Sequence, residues 1–206
     1  MLFPGKHIRR SAILLLCGLI ISLLLAACGG GGTSSATPTP KPTPSPTPVS
    51  LTTYMGDGYT INFPQGWKAK KSTSGTLTLV TFTDPTGIVY RFSVGVTLNP
   101  GEALSADNIV DLGVDFAKSN LKNAQTETLP PATVGGDSWS QKAVTGDATQ
   151  NGQTVNVKFV VLGDNHPAKS PSTKGFIIAY GTAKALFDAA NSTYFQPMLQ
   201  SFKFTS

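Results

Sequence analysis

Between Val89 and Leu98 the side chains alternate: Tyr90, Phe92, Val94, Val96 and Leu98 fall on one side, Arg91, Ser93 and Thr97 on the other. Period-two alternation over that length predicts a strand with one buried face, because successive Cβ atoms point to opposite sides of a sheet. Such a strand needs neighbours to pair with and apolar matter to cover it. Two neighbours are marked nearby. Ser138–Ala148 and Gln153–Leu162 flank Asn151-Gly152, a pair suited to the left-handed positions of a type I′ hairpin turn. In the second arm Val155, Val157, Phe159 and Val161 line one face.

Further strands follow from the same pattern. Tyr59-Thr60-Ile61-Asn62-Phe63 alternates before Pro64-Gln65-Gly66 turns the chain into Trp67, and Leu77–Thr83 ends at an Asp84-Pro85-Thr86-Gly87 turn. Gly175–Tyr180 reads as a buried strand, and Gln125–Thr133, around Pro130-Pro131, as a linker or edge strand. Gly163–Thr173 reads as a polar loop. Ser105 can cap a helix with Asp107 in its positive first turn and Ile109, Leu112, Phe116 and Leu121 near helical spacing. Gly113 inside it predicts close packing on the sheet. Ala183–Ala190 and Tyr194–Gln200 predict helices with Phe187, Phe195, Met198 and Leu199 inward, before Phe202-Lys203-Phe204 closes the domain. Hairpins interrupted by one helix and finished by another imply an α+β fold, an antiparallel β-sheet with helices packed on it.

This domain occupies residues 51–206, and the composition changes sharply ahead of it. Residues 28–50 are Gly, Thr, Ser and Pro with almost nothing to bury, a disordered tether. Its alternating prolines favour an extended chain, on the order of 40–60 Å long. Residues 1–27 place Lys6, Arg9 and Arg10 before an apolar run, Ala12–Ala27, that is short for a permanent membrane span. Basic start, short apolar core and small residues are the parts of a secretory signal. Leu25-Ala26-Ala27-Cys28 resembles a bacterial lipobox. The resemblance implies that signal peptidase recognises Leu25, Ala26 and Ala27, and that Cys28 becomes an acylated N-terminus on the extracytoplasmic face of the cell membrane.

Sixteen Lys and Arg stand against 11 Asp and Glu, but loss of the signal leaves 13 against 11. That balance excludes a charge-driven nucleic-acid binder, which needs a clustered basic face. Cys17 leaves with the signal, so no intrachain disulfide is expected.

Tyr59-Thr60-Ile61-Asn62-Phe63-Pro64-Gln65-Gly66-Trp67 resembles the opening strand and turn of PsbP-like and DcrB-like domains. Phe195-Gln196-Pro197-Met198-Leu199-Gln200-Ser201-Phe202 resembles their closing helix. The resemblance spans roughly Tyr54 to Phe204. It implies an α/β/α sandwich around an antiparallel sheet, in a family that includes an extrinsic photosystem II protein and bacterial envelope lipoproteins. None of that family's proposed metal ligands is matched here, so no metal and no cofactor is expected.

Catalytic candidates are few. The processed chain keeps one histidine, His166, which reads as a solvated loop residue. Gly135-Gly136-Asp137-Ser138 faintly resembles the Gly-Asp-Ser of trypsin-like proteases, but Trp139 stands where glycine should follow, and a turn before a strand is the expectation. Asp107, Asp111 and Asp115 recur along one side of the helix, a solvent-facing stripe that could meet a cation or basic partner. Lys68, Lys70 and Lys71 read as edge-strand lysines that discourage aggregation, with contact to anionic lipid headgroups or teichoic-type polymers as the alternative. Asn191-Ser192-Thr193 matches a glycosylation sequon, which carries little weight in the bacterial setting that the lipobox resemblance implies. The expectation is a membrane-anchored, non-enzymatic binding or scaffold domain contacting an envelope protein. A small-molecule ligand carrier, with Tyr90, Phe92 and Phe159 lining a pocket between sheet and helices, is the alternative, followed by an enzyme of unrecognised type.

Overall fold

The computed structural model describes residues 49–87, 89–150 and 152–205. Leu25, Ala26, Ala27, Cys28, the signal segment and the tether up to residue 48 lie outside them. Strands β1 (Leu51–Met55), β2 (Tyr59–Pro64), β3 (Lys68–Ser74), β4 (Leu77–Thr83) and β5 (Arg91–Leu98) precede helix α1 (Ala106–Ser119). Then come β6 (Lys122–Val134), β7 (Asp137–Gln150), β8 (Gln153–His166) and β9 (Lys174–Ala183). Short helices α2 (Phe187–Ala190) and α3 (Gln196–Ser201), joined by a π-helical turn at Asn191–Phe195, lead to β10 (Lys203–Phe204).

Seven strands pair antiparallel in the order β3-β4-β5-β9-β8-β7-β6, and β1-β2-β10 form a second, three-stranded sheet. The predicted hairpin is β7–β8, in register from Ser140↔Gly163 to Gln150↔Gln153. β6 is an edge strand whose register slips between Leu129 and Ala132, where Pro130-Pro131 interrupts the ladder. β8 runs on to His166, so the loop expected from Gly163 begins only after it. Asp164 and Asn165 there pair in the ladder with Phe176 and Gly175.

The two sides of the large sheet are covered differently. On one, Phe82, Phe92, Val160, Leu162, Phe176 and Tyr180 meet Tyr59, Ile61 and Phe63 of the small sheet, and Phe187, Phe195, Met198 and Leu199 of the C-terminal helices. On the other, Val110 and Val114 of α1 pack on Val144 and Val161. One outer layer of the expected α/β/α sandwich is therefore a second sheet with short helices, making the protein richer in sheet than that architecture implies.

Ser105 caps α1 as expected, its hydroxyl accepting the Asn108 N–H at 3.2 Å. The buried stripe differs from the expected one. Ile109, Val110 and Val114 are buried, while Leu112 and Phe116 are 59% and 75% exposed. Gly113 is the reason. A Cβ there would lie 2.6 Å from Ile177 Cδ1 and 2.7 Å from Val161 Cγ1, so the helix touches the sheet along Gly113 and its long side chains stand to the flank.

Candidate functional site

The residues expected to line one pocket do not share one. Phe92 stands opposite Tyr180, and Tyr180 opposite Val160, on the side facing the small sheet. Phe159 stands opposite Gly181 and Val144, on the α1 side. Phe92 is fully buried and stacked on Tyr180 at 5.6 Å, while the half-buried Tyr90 stacks with Trp67 at 6.2 Å and meets Tyr194 at a tilt at 5.2 Å. These rings pack in or against the core rather than line a shared cavity. Two clefts that the described residues form hold about 250 Å³, beside Tyr54, Tyr59 and Lys71, and about 170 Å³, beside Asp107, Leu129 and Lys142. Both are below the ~300–1,000 Å³ usual for small-molecule sites.

A polar cluster lies where β7 begins and β8 ends. Gly135 and Gly136 turn the chain with φ of 63° and 96°, which favours glycine, and bring Asp137 to the start of β7. His166 is not a loop residue. Its ring stacks on Phe204 at 3.7 Å and its Nδ1 lies 2.7 Å from Asp137 Oδ2. Two residues earlier, Asp164 is buried, and its Oδ2 has no hydrogen-bond partner among the described residues. Burial pushes its carboxyl up from 3.8 to about 6; an Asn165 backbone hydrogen bond and His166 oppose the rise, while Asp137 and Glu102 add to it. Ser138 lies in the ladder opposite Thr133, and Trp139 is buried with its indole N–H donating to the Val134 carbonyl at 3.0 Å. An aspartate–histidine pair can orient an imidazole as a base. Among the described residues no hydroxyl hydrogen-bonds to this ring.

Sequence reading missed this cluster, although a signal existed. Val160, Leu162, Asp164 and His166 continue one alternation, which carries the β8 pattern past the point where polarity suggests a loop. A polar knot at Asp84 went unseen as well. Its carboxylate accepts backbone N–H groups of Thr86, Val89 and Tyr90 at 3.1, 3.1 and 3.0 Å, and the Thr86 hydroxyl. Burial would raise this carboxyl, but those hydrogen bonds outweigh it and hold it below the usual aspartate value.

The acidic stripe of α1 is partly used inside the fold. Asp111 pairs with Lys142 of β7, whose ammonium is raised by that hydrogen bond and by the charges of Asp111, Asp107 and Asp115. Lys68, Lys70 and Lys71 lie on β3, an exposed edge strand, as expected. Asn191-Ser192-Thr193 falls in the π-helical turn, where the Ser192 hydroxyl donates to backbone carbonyls of Asp188 and Ala189. Among the described residues no group of three potential metal ligands converges, and no helix is long and apolar enough to cross a membrane.

No protein-family model matches the chain, and no curated protein matches it in sequence. Solved structures resemble it distantly. The apo immunity protein TplEi of a type VI secretion system from Pseudomonas aeruginosa is 15% identical with a TM-score of 0.42, over 72% of this chain and 46% of that one. The chain thus spans under half the length of that protein. LpqN of Mycobacterium tuberculosis, involved in cell envelope biogenesis, is 16% identical with a TM-score of 0.42, over 77% of this chain and 92% of that one. PA94 of Pseudomonas aeruginosa, a protein of unknown function, is 12% identical with a TM-score of 0.36, over 72% of this chain and 94% of that one. Similarity at this level does not extend to a shared activity.

Proposed function

We propose that the chain is an extracytoplasmic lipoprotein, held to the cell membrane through acylated Cys28, whose domain is a non-enzymatic binding module for another envelope protein or complex. The observation that carries this reading is the order of segments. A lipobox-like Leu25-Ala26-Ala27-Cys28 is followed by a Gly- and Pro-rich spacer and then by a domain filled with aromatic side chains. A spacer of that length is useful when the cargo must reach something beyond the lipid surface. Phe159 lies on the opposite side of the sheet from Phe92, which weighs against ligand carriage through a pocket of those residues.

The test is crosslinking on intact cells, with recovery of the tagged chain and mass spectrometry, run beside a Cys28→Ser form. A discrete envelope protein captured by the parent and lost with Cys28→Ser is the expected result. A Cys28→Ser chain that still fractionates with membranes at processed size would overturn the anchor. A parent that crosslinks to no other protein would overturn the binding role.

A further inference from the structure

Helix α1 packs on β7, β8 and β9, and among the described residues it covers only part of its side of the large sheet. Register fixes what the remaining half presents. Val80 and Phe82 point into the sealed core, so Leu77, Leu79, Thr81 and Thr83 of β4 point the other way. Lys68 and Lys70 of β3, opposite Thr83 and Thr81, share that side, as does Arg91 of β5, opposite Thr83. All three cations are exposed, and Leu77 is 38% exposed among the described residues.

The apolar part of this surface is continuous. A Cβ on Gly95 would meet Ile177 Cγ2 at 2.6 Å and the Cδ1 atoms of Leu77 and Leu79 at 3.3 and 3.5 Å, so these three side chains close over β5. Ile177 also reaches Gly113 of α1. Ile109 and Gly113 lie over β9, against Gly175 and Ile177, and helical spacing sets Leu112 and Phe116 on the flank beside them. That flank therefore overlooks the open half. Asp115 stands exposed on the crest of the helix. Strands lie about 4.8 Å apart and packed helices 8–10 Å, so one more helix beside α1 would sit about two strands over, on β5 and β4.

We propose that a second copy of this chain supplies that helix. In a two-fold dimer each α1 lies over the open β3–β5 half of the other copy. Leu112 and Phe116 then cover Leu77 and Leu79 across the interface, and Asp115 meets the Lys68, Lys70 and Arg91 cluster. The face is self-complementary: it carries the missing helix, the apolar pad that needs one, an acidic crest and a basic rim. A two-fold interface uses one patch twice, and this patch holds both halves of every contact. Large apolar side chains exposed side by side on a single copy fit the same assignment.

The test uses the full chain in detergent micelles, with association read by analytical ultracentrifugation after subtraction of bound detergent. The parent is expected to be a dimer, and Phe116→Glu to weaken it at least about tenfold. Lys68→Glu/Lys70→Glu and Asp115→Lys place like charges at both copies of the contact and should each weaken it by a similar factor. An equimolar mixture of those two charge variants should restore the dimer, because each contact regains opposite signs. All substituted positions are exposed, and circular dichroism checks that the fold is kept. A parent that stays monomeric overturns the proposal. So does an association that the charge variants leave unchanged, since two anchors sharing a micelle would behave that way. Charge variants that weaken the dimer but do not recover on mixing overturn it as well.

Discussion

Asp164 gives the most direct test of the packing around the β7–β8 end. It is 9% exposed, next along the β8 alternation from Leu162, with one carboxyl oxygen lacking a partner among the described residues. Burial, the largest cause, raises the group from 3.8 to about 6. In the unfolded chain the group returns to its ordinary value, so the folded state holds the proton more tightly. The stability this group contributes is therefore fully present below about pH 3.8 and is lost as pH rises to about 6, after which it stays constant. A gap of roughly two pH units, at about 1.4 kcal/mol each, corresponds to about 3 kcal/mol. Asp164→Asn cannot ionise. Replacing the carboxyl by an amide adds a fixed cost or gain from its own hydrogen bonds, and that offset does not depend on pH. Urea unfolding of both chains between about pH 3.5 and pH 7 should show the variant gaining on the parent by about 2–3 kcal/mol. All other titrating groups cancel to first order in this difference. A stability difference that stays flat across the range would mean that the Asp164 carboxylate reaches water, and would refute the burial argument.

Gly181 stands where a Cβ would lie 2.2 Å from Phe159 Cδ1 and 2.5 Å from the Lys158 carbonyl oxygen. Gly181→Ala should destabilise by about 1–3 kcal/mol, read as a lower Tm; an unchanged Tm would contradict the β8–β9 register. Asp84 shows the opposite pH behaviour to Asp164. Its carboxyl lies below the ordinary value in the fold, so its contribution is present above about pH 3.8 and disappears as pH falls through the folded value. Asp84→Ala should cost about 1–3 kcal/mol at neutral pH by stranding backbone N–H groups. The gap from the parent should narrow in acid, and a gap that widened would show that the loop is held by something else.

Much of the fold was legible where one face is buried and the alternation unbroken. β5 and the β7–β8 hairpin follow from such patterns, and Phe187, Phe195, Met198 and Leu199 point inward as their spacing suggested. In β5 the faces are not cleanly split: Leu98, expected on the buried face, is 62% exposed where the strand ends, and Ser93 on the other face is buried because the sheet continues on both sides of β5. β1 was not legible, because four of its five residues are exposed and its sequence carries no burial period. The end of β8 was hidden by chemistry. Asp164, Asn165 and His166 look like loop residues, yet Asn165 Oδ1 accepts from Asn99 Nδ2 at 2.6 Å and its amide donates to the Leu104 carbonyl at 2.8 Å. Partners 61 and 66 residues away leave no local trace. The same holds for the Asp137–His166 pair, whose members are separated by 29 positions. On α1 the error was one of rotation. Leu112 and Phe116 are the largest apolar residues there, but Gly113 decides which side meets the sheet.

That rotation connects the core to the surface. A Cβ on Gly163 would lie 2.8 Å from the Ala106 carbonyl oxygen and 3.0 Å from Ile109 and Val110 side chains, so the first turn of α1 rests almost directly on the β8 backbone. With Gly113 against Ile177 and Val161, the helix is pinned close at two points about two turns apart. A helix held that close needs only small side chains beneath it, which is why Val110, Val114 and Ala117 suffice on that side. Close approach also narrows the strip of sheet that one helix can cover. Larger residues beneath α1 would lift it and let Leu112 and Phe116 fold under; glycine at these positions keeps them on the flank. On the other side the small sheet and the C-terminal helices cover the centre of the sheet with aromatic rings. The open half beside α1 is thus a consequence of how tightly α1 is seated, and the same glycines that complete the core set the surface on which association depends.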